Sequence, residues 1–181
     1  LIAQSRLVTP NADEAEVLTG RPLETVADAR AAGESLVALG ADAALVKGGH
    51  IDADARGDAV VDLLVTEAGV ERFEHSRIDT DATHGSGCTL SSAVAARLAR
   101  GESLRDAVAG GVSFMERAVR YHYDVGEGPC AVNHGVARSE RADRAATAEA
   151  IEGVLDRLAD ADARALAADG GLQIVGATPY A

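Results

Sequence analysis

Tryptophan is absent from the 181 residues, methionine occurs once, cysteine twice and proline four times, and aromatic residues make up only 3%. Without bulky rings the core must be packed from Ala, Val and Leu, which the 47% hydrophobic content supplies. Cys88 and Cys130 lie too far apart in sequence to form the framework of a disulfide-stapled secreted domain. No apolar run approaches the roughly 18 residues that a membrane span needs, and no basic, apolar leader opens the chain. The expected compartment is therefore the cytoplasm, with no membrane partner. Basic residues are scarce too: 17 stand against 29 acidic ones, and the net charge of −12 repels nucleic acid phosphates and anionic lipid. Lysine is the rarest of them, because Lys47 is the only one and every other basic side chain is Arg. An Asp- and Ala-rich, lysine-poor surface fits the salt-adapted cytoplasm of a halophilic archaeon, or the bias of a GC-rich genome. Met115 is not an initiator and "LQIVGATPYA" ends as a new apolar segment starts, so the chain reads as a piece of a longer protein.

What is there reads as one main α/β domain. Leu7 to Thr9 looks like the end of a buried strand, Pro10 bars helix before it, Asn11 can cap, and Ala15 to Leu18 suit a short helix. The next segment has a Thr25/Asp28 capping box, apolar positions at Ala29, Ala32, Leu36 and Leu39, and Gly40 as its stop. "AALV" reads as a second buried strand ending at Lys47. Helices alternating with short apolar strands indicate parallel βα units. "AVVDLLVTEAGVERFEHSRI" instead reads as a hairpin on the sheet's edge, turning at Glu67-Ala68-Gly69. Two further helices are expected, from about Cys88 to Arg100 and from Ser103, with Leu104, Val108, Val112, Met115 and Val119 on one face of the second. "GVARSERADR", 135–144, is polar enough for a linker, and Ile151, Val154, Leu155 and Leu158 mark an amphipathic helix beyond it.

Three strand ends carry the candidate chemistry. Gly85, Ser86 and Gly87 can turn backbone N–H groups toward one point, and the helix that follows adds unpaired donors and a positive dipole end, which suits a phosphoryl group in transfer. The same glycines would also serve an ordinary helix entry, and they form neither a Walker loop nor a Rossmann fingerprint. Cys88 at that helix start is placed to act as a thiolate; an inert buried cysteine is the equal alternative. Cys130 has no helix start and reads as inert. Lys47, at the carboxyl end of an apolar strand and followed by Gly48 and Gly49, stands where open α/β sheets bind ligands and can reach phosphates. Asn11 and Glu14 put an amide and a carboxylate on adjacent turns; they suit either a hydrated magnesium ion or plain helix capping.

"TPNADEAEVLTG", "ALVKGGH" and "DTDATHGSGCTLSSAVAARLARG" resemble, in sequence and in order, the carboxyl-terminal half of the hydroxymethylpyrimidine and hydroxymethylpyrimidine-phosphate kinases of thiamine biosynthesis, in the ribokinase-like superfamily. The resemblance spans residues 1–134, where "GPCAVNH" is similar to the family's closing Gly-Pro-Val-Asn-His with two residues inserted. It implies a three-layer α/β/α sandwich with a mostly parallel sheet, present here as a partial domain followed by a helical segment. It further implies ATP and Mg2+ over the strand ends and a pyrimidine as substrate. Gly85, Ser86, Gly87 and Cys88 would form the catalytic anion hole, with Cys88 beside the accepting oxygen. Lys47, Gly48, Thr83 and His84 would bind the nucleotide, and Asn11 and Glu14 would serve the metal. The glycine-bearing first strand and most of the pyrimidine pocket would precede Leu1. Residues 145–181 are similar to the opening of the thiamine-phosphate synthase domain that some archaeal kinases carry fused. A homodimer is compatible with this reading.

Two kinds of alternative remain at this stage. Hydroxyethylthiazole kinase, which shares a Gly-x-Gly-Cys anion hole, and pyridoxal kinase belong to the same superfamily. A kinase-like fold that only senses a thiamine precursor would be a regulatory module without catalysis.

Overall fold

The first two α-helices of this chain start at reciprocal side-chain caps. A computed structural model describes residues 1–49, 51, 59–80, 84–123 and 130–160. In helix α1, Ala12–Thr19, the Asn11 side chain accepts from the Glu14 N–H while Glu14 accepts from the Asn11 N–H, and Gly20 closes the helix with a left-handed φ of 70°. In α2, Val26–Ala38, Thr25 and Asp28 form the expected box. The Thr25 hydroxyl and N–H both donate to Asp28, which holds its carboxyl below the usual range. The face of α2 carrying Ala29, Ala32, Gly33 and Leu36 is buried, whereas Leu39, expected among the apolar positions, is 53% exposed because the helix has already ended at Ala38.

Strand β1, Ala43–Val46, is buried at all four positions. The Leu7–Thr9 segment runs parallel to it: the Val8 N–H donates to the Ala43 carbonyl and the Leu45 N–H to the Val8 carbonyl. This is the parallel βα pairing that the alternation of elements implies. Strands β2, Ala59–Thr66, and β3, Gly69–Ser76, then add antiparallel partners in the order β1-β2-β3. The hairpin expectation holds with a tighter turn, since Gly69 pairs with Thr66 and leaves Glu67 and Ala68 as the loop.

Both faces of the sheet are covered. Val46, Val61, Leu63 and Val65 join a core with α1 and α2. Ala43, Leu45 and Leu64 point the other way, into α3, Ser86–Ala99, and α4, Leu104–Arg120. The three layers follow from the period-two alternation of β2. Helix α3 begins two residues before the expected Cys88, because Gly85 takes a left-handed φ of 78° and turns the chain straight into helix.

An open groove of about 550 Å³ runs beside α1, lined by Val8, Thr9, Pro10, Asp13, Glu14, Val17 and Leu18. Val17 there is 84% exposed and Leu18 44%.

The described chain divides into the unit Leu1–Asn133 and the unit His134–Ala181. In the second, helix α5, Val136–Asp160, takes in all but the first residue of the expected linker, 135–144. Three arginines and two alanines make up half of that stretch, and both are strong helix formers whatever their polarity.

Gly33 tests the packing of α2 on the sheet. Replacing a helical glycine by alanine favours the helix by about 1 kcal/mol, but a Cβ here would stand 2.5 Å from Val65 Cγ2, a buried, β-branched neighbour. Overpacking costs about 1–3 kcal/mol, so Gly33→Ala should lower the thermal midpoint; an increase would show that α2 can lift off β2.

Candidate active site

Lys47 leaves β1 with its N–H donating to the Pro10 carbonyl, which locks the lysine against the start of α1. The side chain, 16% exposed, runs toward α3. A Cβ at Gly87 would stand 2.8 Å from the Lys47 ammonium, so a side chain there would displace the tip of the lysine. Glu14 lies on the ammonium's other flank at 4.0 Å.

The opening of α3 supplies the opposing donors. Thr89 makes the first helical bond, to the Gly85 carbonyl, so the N–H groups of Gly85, Ser86, Gly87 and Cys88 precede the hydrogen-bonded ladder. Their dipoles and the Lys47 ammonium all favour negative charge in one place. The Thr9 and Ser91 hydroxyls meet at 2.8 Å, and Ser91 donates to the Gly87 carbonyl, tying the strand end to the first turn of α3.

Behind the lysine, Gly48 passes so close to β2 that a Cβ would strike the Val61 carbonyl. Its N–H donates to Asp62 Oδ1 at 2.8 Å, a buried bond. Asp62 itself is 4% exposed, and its other oxygen lies 3.7 Å from His75 Nε2. Asp62 raises the His75 pKa above the ordinary 6.5 against the opposing effect of burial, with a smaller contribution from Glu116. Arg77 donates to the Gly49 carbonyl at 2.9 Å.

The structure thus brings Asn11, Lys47, Ser86 and Gly87 to the wall of one cavity of about 250 Å³, whose floor holds Asp62 and His75. Glu14 reaches it through Lys47, while Gly48 forms the backing. Cys88 sits one residue further along α3 and is exposed. His84 is exposed and bridges to Ala131, Cys130 is buried, and Thr83 lies outside the described residues. Asn11 and Glu14 are occupied with each other in the capping box. Among the described residues no group of three or more His, Cys, Asp or Glu could enclose a metal ion.

Residues 1–133 match the phosphomethylpyrimidine kinase family. The chain belongs to that family. It is 43% identical over 138 residues to the thiamine biosynthesis bifunctional protein ThiED of Geobacter sulfurreducens, covering 76% of this chain and 27% of that protein. It is 37% identical to the hydroxymethylpyrimidine/phosphomethylpyrimidine kinase of Bacillus subtilis, over 74% of this chain and 48% of the relative. Among solved structures, an ADP complex of Bacillus subtilis pyridoxal kinase matches with a TM-score of 0.70 and 32% identity, over 76% of this chain and 52% of that one. The phosphomethylpyrimidine kinase of Clostridium difficile matches with a TM-score of 0.53 and 32% identity, over 65% of this chain and 45% of that one. The fold is ribokinase-like, and the chain spans half or less of the curated relatives it matches.

Asp62 and His75 are the site residues that motif reading passed over. A signal for Asp62 was present, since it interrupts the apolar run of β2, and a buried strand acid needs a partner. None marked His75, because only the register that pairs it with Val60 sets it diagonally across from Asp62.

The pair makes stability depend on pH. With its folded pKa raised, His75 contributes fully below its unfolded value of 6.5 and loses that contribution as pH rises through the folded value. Urea titrations of the wild type and His75→Gln should differ most below the unfolded value of 6.5 and converge as pH rises above the folded value. A gap that does not change with pH would show that the imidazole carries no charge in the fold.

Proposed function

We propose that this chain is the phosphate-handling part of an ATP-dependent kinase that phosphorylates hydroxymethylpyrimidine, its monophosphate, or both in thiamine biosynthesis. The observation that carries the proposal is the convergence of the only lysine on the open N-terminus of α3. Family membership supports the reaction class, and solved relatives include a Staphylococcus aureus pyridoxal kinase in complex with AMP-PCP and pyridoxal. ATP supplies the transferred phosphoryl group when bound. The roles of the chain's own residues follow from charge: Lys47 and the N–H groups of Gly85, Ser86 and Gly87 stabilise negative charge that develops during transfer, and they are preorganised to do so. Cys88, on the solvent side of the same turn, would stand beside the accepting hydroxyl, as the resemblance of "THGSGC" implies. Gly48, Thr83 and His84 complete the nucleotide side in this reading, and Asn11 with Glu14 would hold hydrated Mg2+. The proposal includes a cytoplasmic setting, the compartment that supplies ATP; no helix among the described residues is long and apolar enough to cross a membrane. It also includes a second domain beginning near residue 145, of the thiamine-phosphate synthase kind, on the sequence resemblance alone.

A second reading has an observation of its own. The pyridoxal kinase structure matches with the higher TM-score, 0.70 against 0.53 for the phosphomethylpyrimidine kinase. Both substrates present a hydroxymethyl group on an aromatic nitrogen heterocycle, so the phosphate half of the site can serve either. Kinetics of the full-length protein with each alcohol decide between them: the pyrimidine should have the larger kcat/KM, and a preference for pyridoxal would overturn the assignment.

In the full-length protein, Cys88→Ala should lower kcat by about a hundred-fold while changing the KM for ATP little, because the thiol faces the transferring group and not the adenine. Equal losses from Cys88→Ala and from substitution of the buried Cys130 would remove Cys88 from the reaction.

Residues 1–181 expressed alone should not phosphorylate the pyrimidine. The exposed Val17 and Leu18 in the groove beside α1 form an apolar surface that the rest of the relatives' length would cover. Size-exclusion chromatography and an ADP-release assay test this. A monomer turning over substrate at about 1 per second, ordinary for a kinase, would show that the pocket is complete in these residues.

A further inference from the structure

The Lys47 ammonium is useful to a phosphate only if its backbone is held still, and the glycines that follow it remove the steric means of holding it. We infer that Asp62 is the positioning residue for Lys47: through the Gly48 N–H it fixes the turn that aims the ammonium at α3, and His75 braces it from behind. The inference rests on the kinase reading for its consequence, but its geometry stands apart from it.

Three observations carry it. The Gly48 N–H to Asp62 Oδ1 bond, at 2.8 Å, is buried and spans 14 residues, so it couples the end of β1 to the middle of β2. Gly48 is pressed against the Val61 backbone, where any side chain would push the turn away. The remaining oxygen of Asp62 lies 3.7 Å from His75 Nε2, an ion-pair distance when the ring is protonated, so the carboxylate has a partner on each side. A carboxylate buried to 4% in an otherwise apolar strand costs stability unless it is paired. Among the described residues its partners are the Gly48 N–H in the turn behind Lys47 and the His75 imidazole. Arg77, donating to the Gly49 carbonyl, steadies the far side of the same turn. Asp62 therefore acts through Gly48 and touches no phosphate itself.

The solitary lysine allows a direct readout that does not depend on catalysis. Acetic anhydride labelling of the full-length protein, resolved by peptide mass spectrometry, reports how firmly Lys47 is held. Asp62→Ala leaves the Gly48 N–H without its acceptor; Lys47 should label about ten-fold faster, and the KM for ATP should rise by about the same factor with the pyrimidine KM unchanged. Asp62→Asn keeps an oxygen for Gly48 and should return both quantities to within about two-fold of wild type. Unchanged labelling in Asp62→Ala, or an equal rise in the alanine and asparagine variants, overturns the inference. So does a matching rise in the pyrimidine KM. If the wild type transfers no phosphoryl group to the pyrimidine, the kinase reading fails and the labelling comparison still decides the role of Asp62. Should Asp62→Ala not fold, His75→Gln decides: it spares the Gly48 bond but frees the second oxygen, and a Lys47 labelling rate equal to wild type would sink the idea.

Discussion

The approach of Gly48 to the Val61 carbonyl is the constraint on which the site depends. It brings the chain leaving β1 so close to β2 that a side chain has no room, and it aligns the Gly48 N–H with the Asp62 carboxylate. From that fixed point Lys47 projects across the cavity to Gly87, where a second missing side chain lets the ammonium reach the opening of α3. The two glycines serve one geometry. Each removes a Cβ at a place where backbone or ammonium must come close, and the entropy that glycine costs is offset by hydrogen bonds on either side.

Around that point the electrostatics run in one direction. The positive end of α3, the unpaired N–H groups of its first turn and the ammonium all favour an anion between them. The net charge of −12 opposes anions over the rest of the surface, so this region stands out as a local concentration of positive potential. Glu14 and Asp62 flank this region without filling it: one is spent on capping α1 and the other on holding Gly48. The buried carboxylate is tolerable because His75 and the Gly48 N–H satisfy it. An unpaired one would be expelled or protonated.

The sheet is covered on both faces, by α1 and α2 on one side and α3 and α4 on the other, so a three-layer unit exists in residues 1–133. The groove beside α1 leaves the side chains of Val17 and Leu18 exposed.

Much of the architecture was legible in the residues. Capping boxes at Asn11/Glu14 and Thr25/Asp28, the buried run "AALV" and the hairpin follow from local hydrogen bonding and from periodicity, which neighbours in sequence determine. The motif order around Lys47 and Gly85 to Cys88 was readable for the same reason, since a strand end and a helix start announce themselves within a few residues. The helix that starts at Val136, inside the expected linker at 135–144, was not legible there because polarity says where a chain meets water and not whether it is helical. The exposure of Cys88, the partnership of Asp62 with Gly48 and the place of His75 were decided only by tertiary structure. Asp62 lies 14 residues from Gly48, and His75 lies on the next strand. Which side chain faces which across a sheet depends on register and on the close approach of two backbones, and neither is a property of any local stretch of sequence.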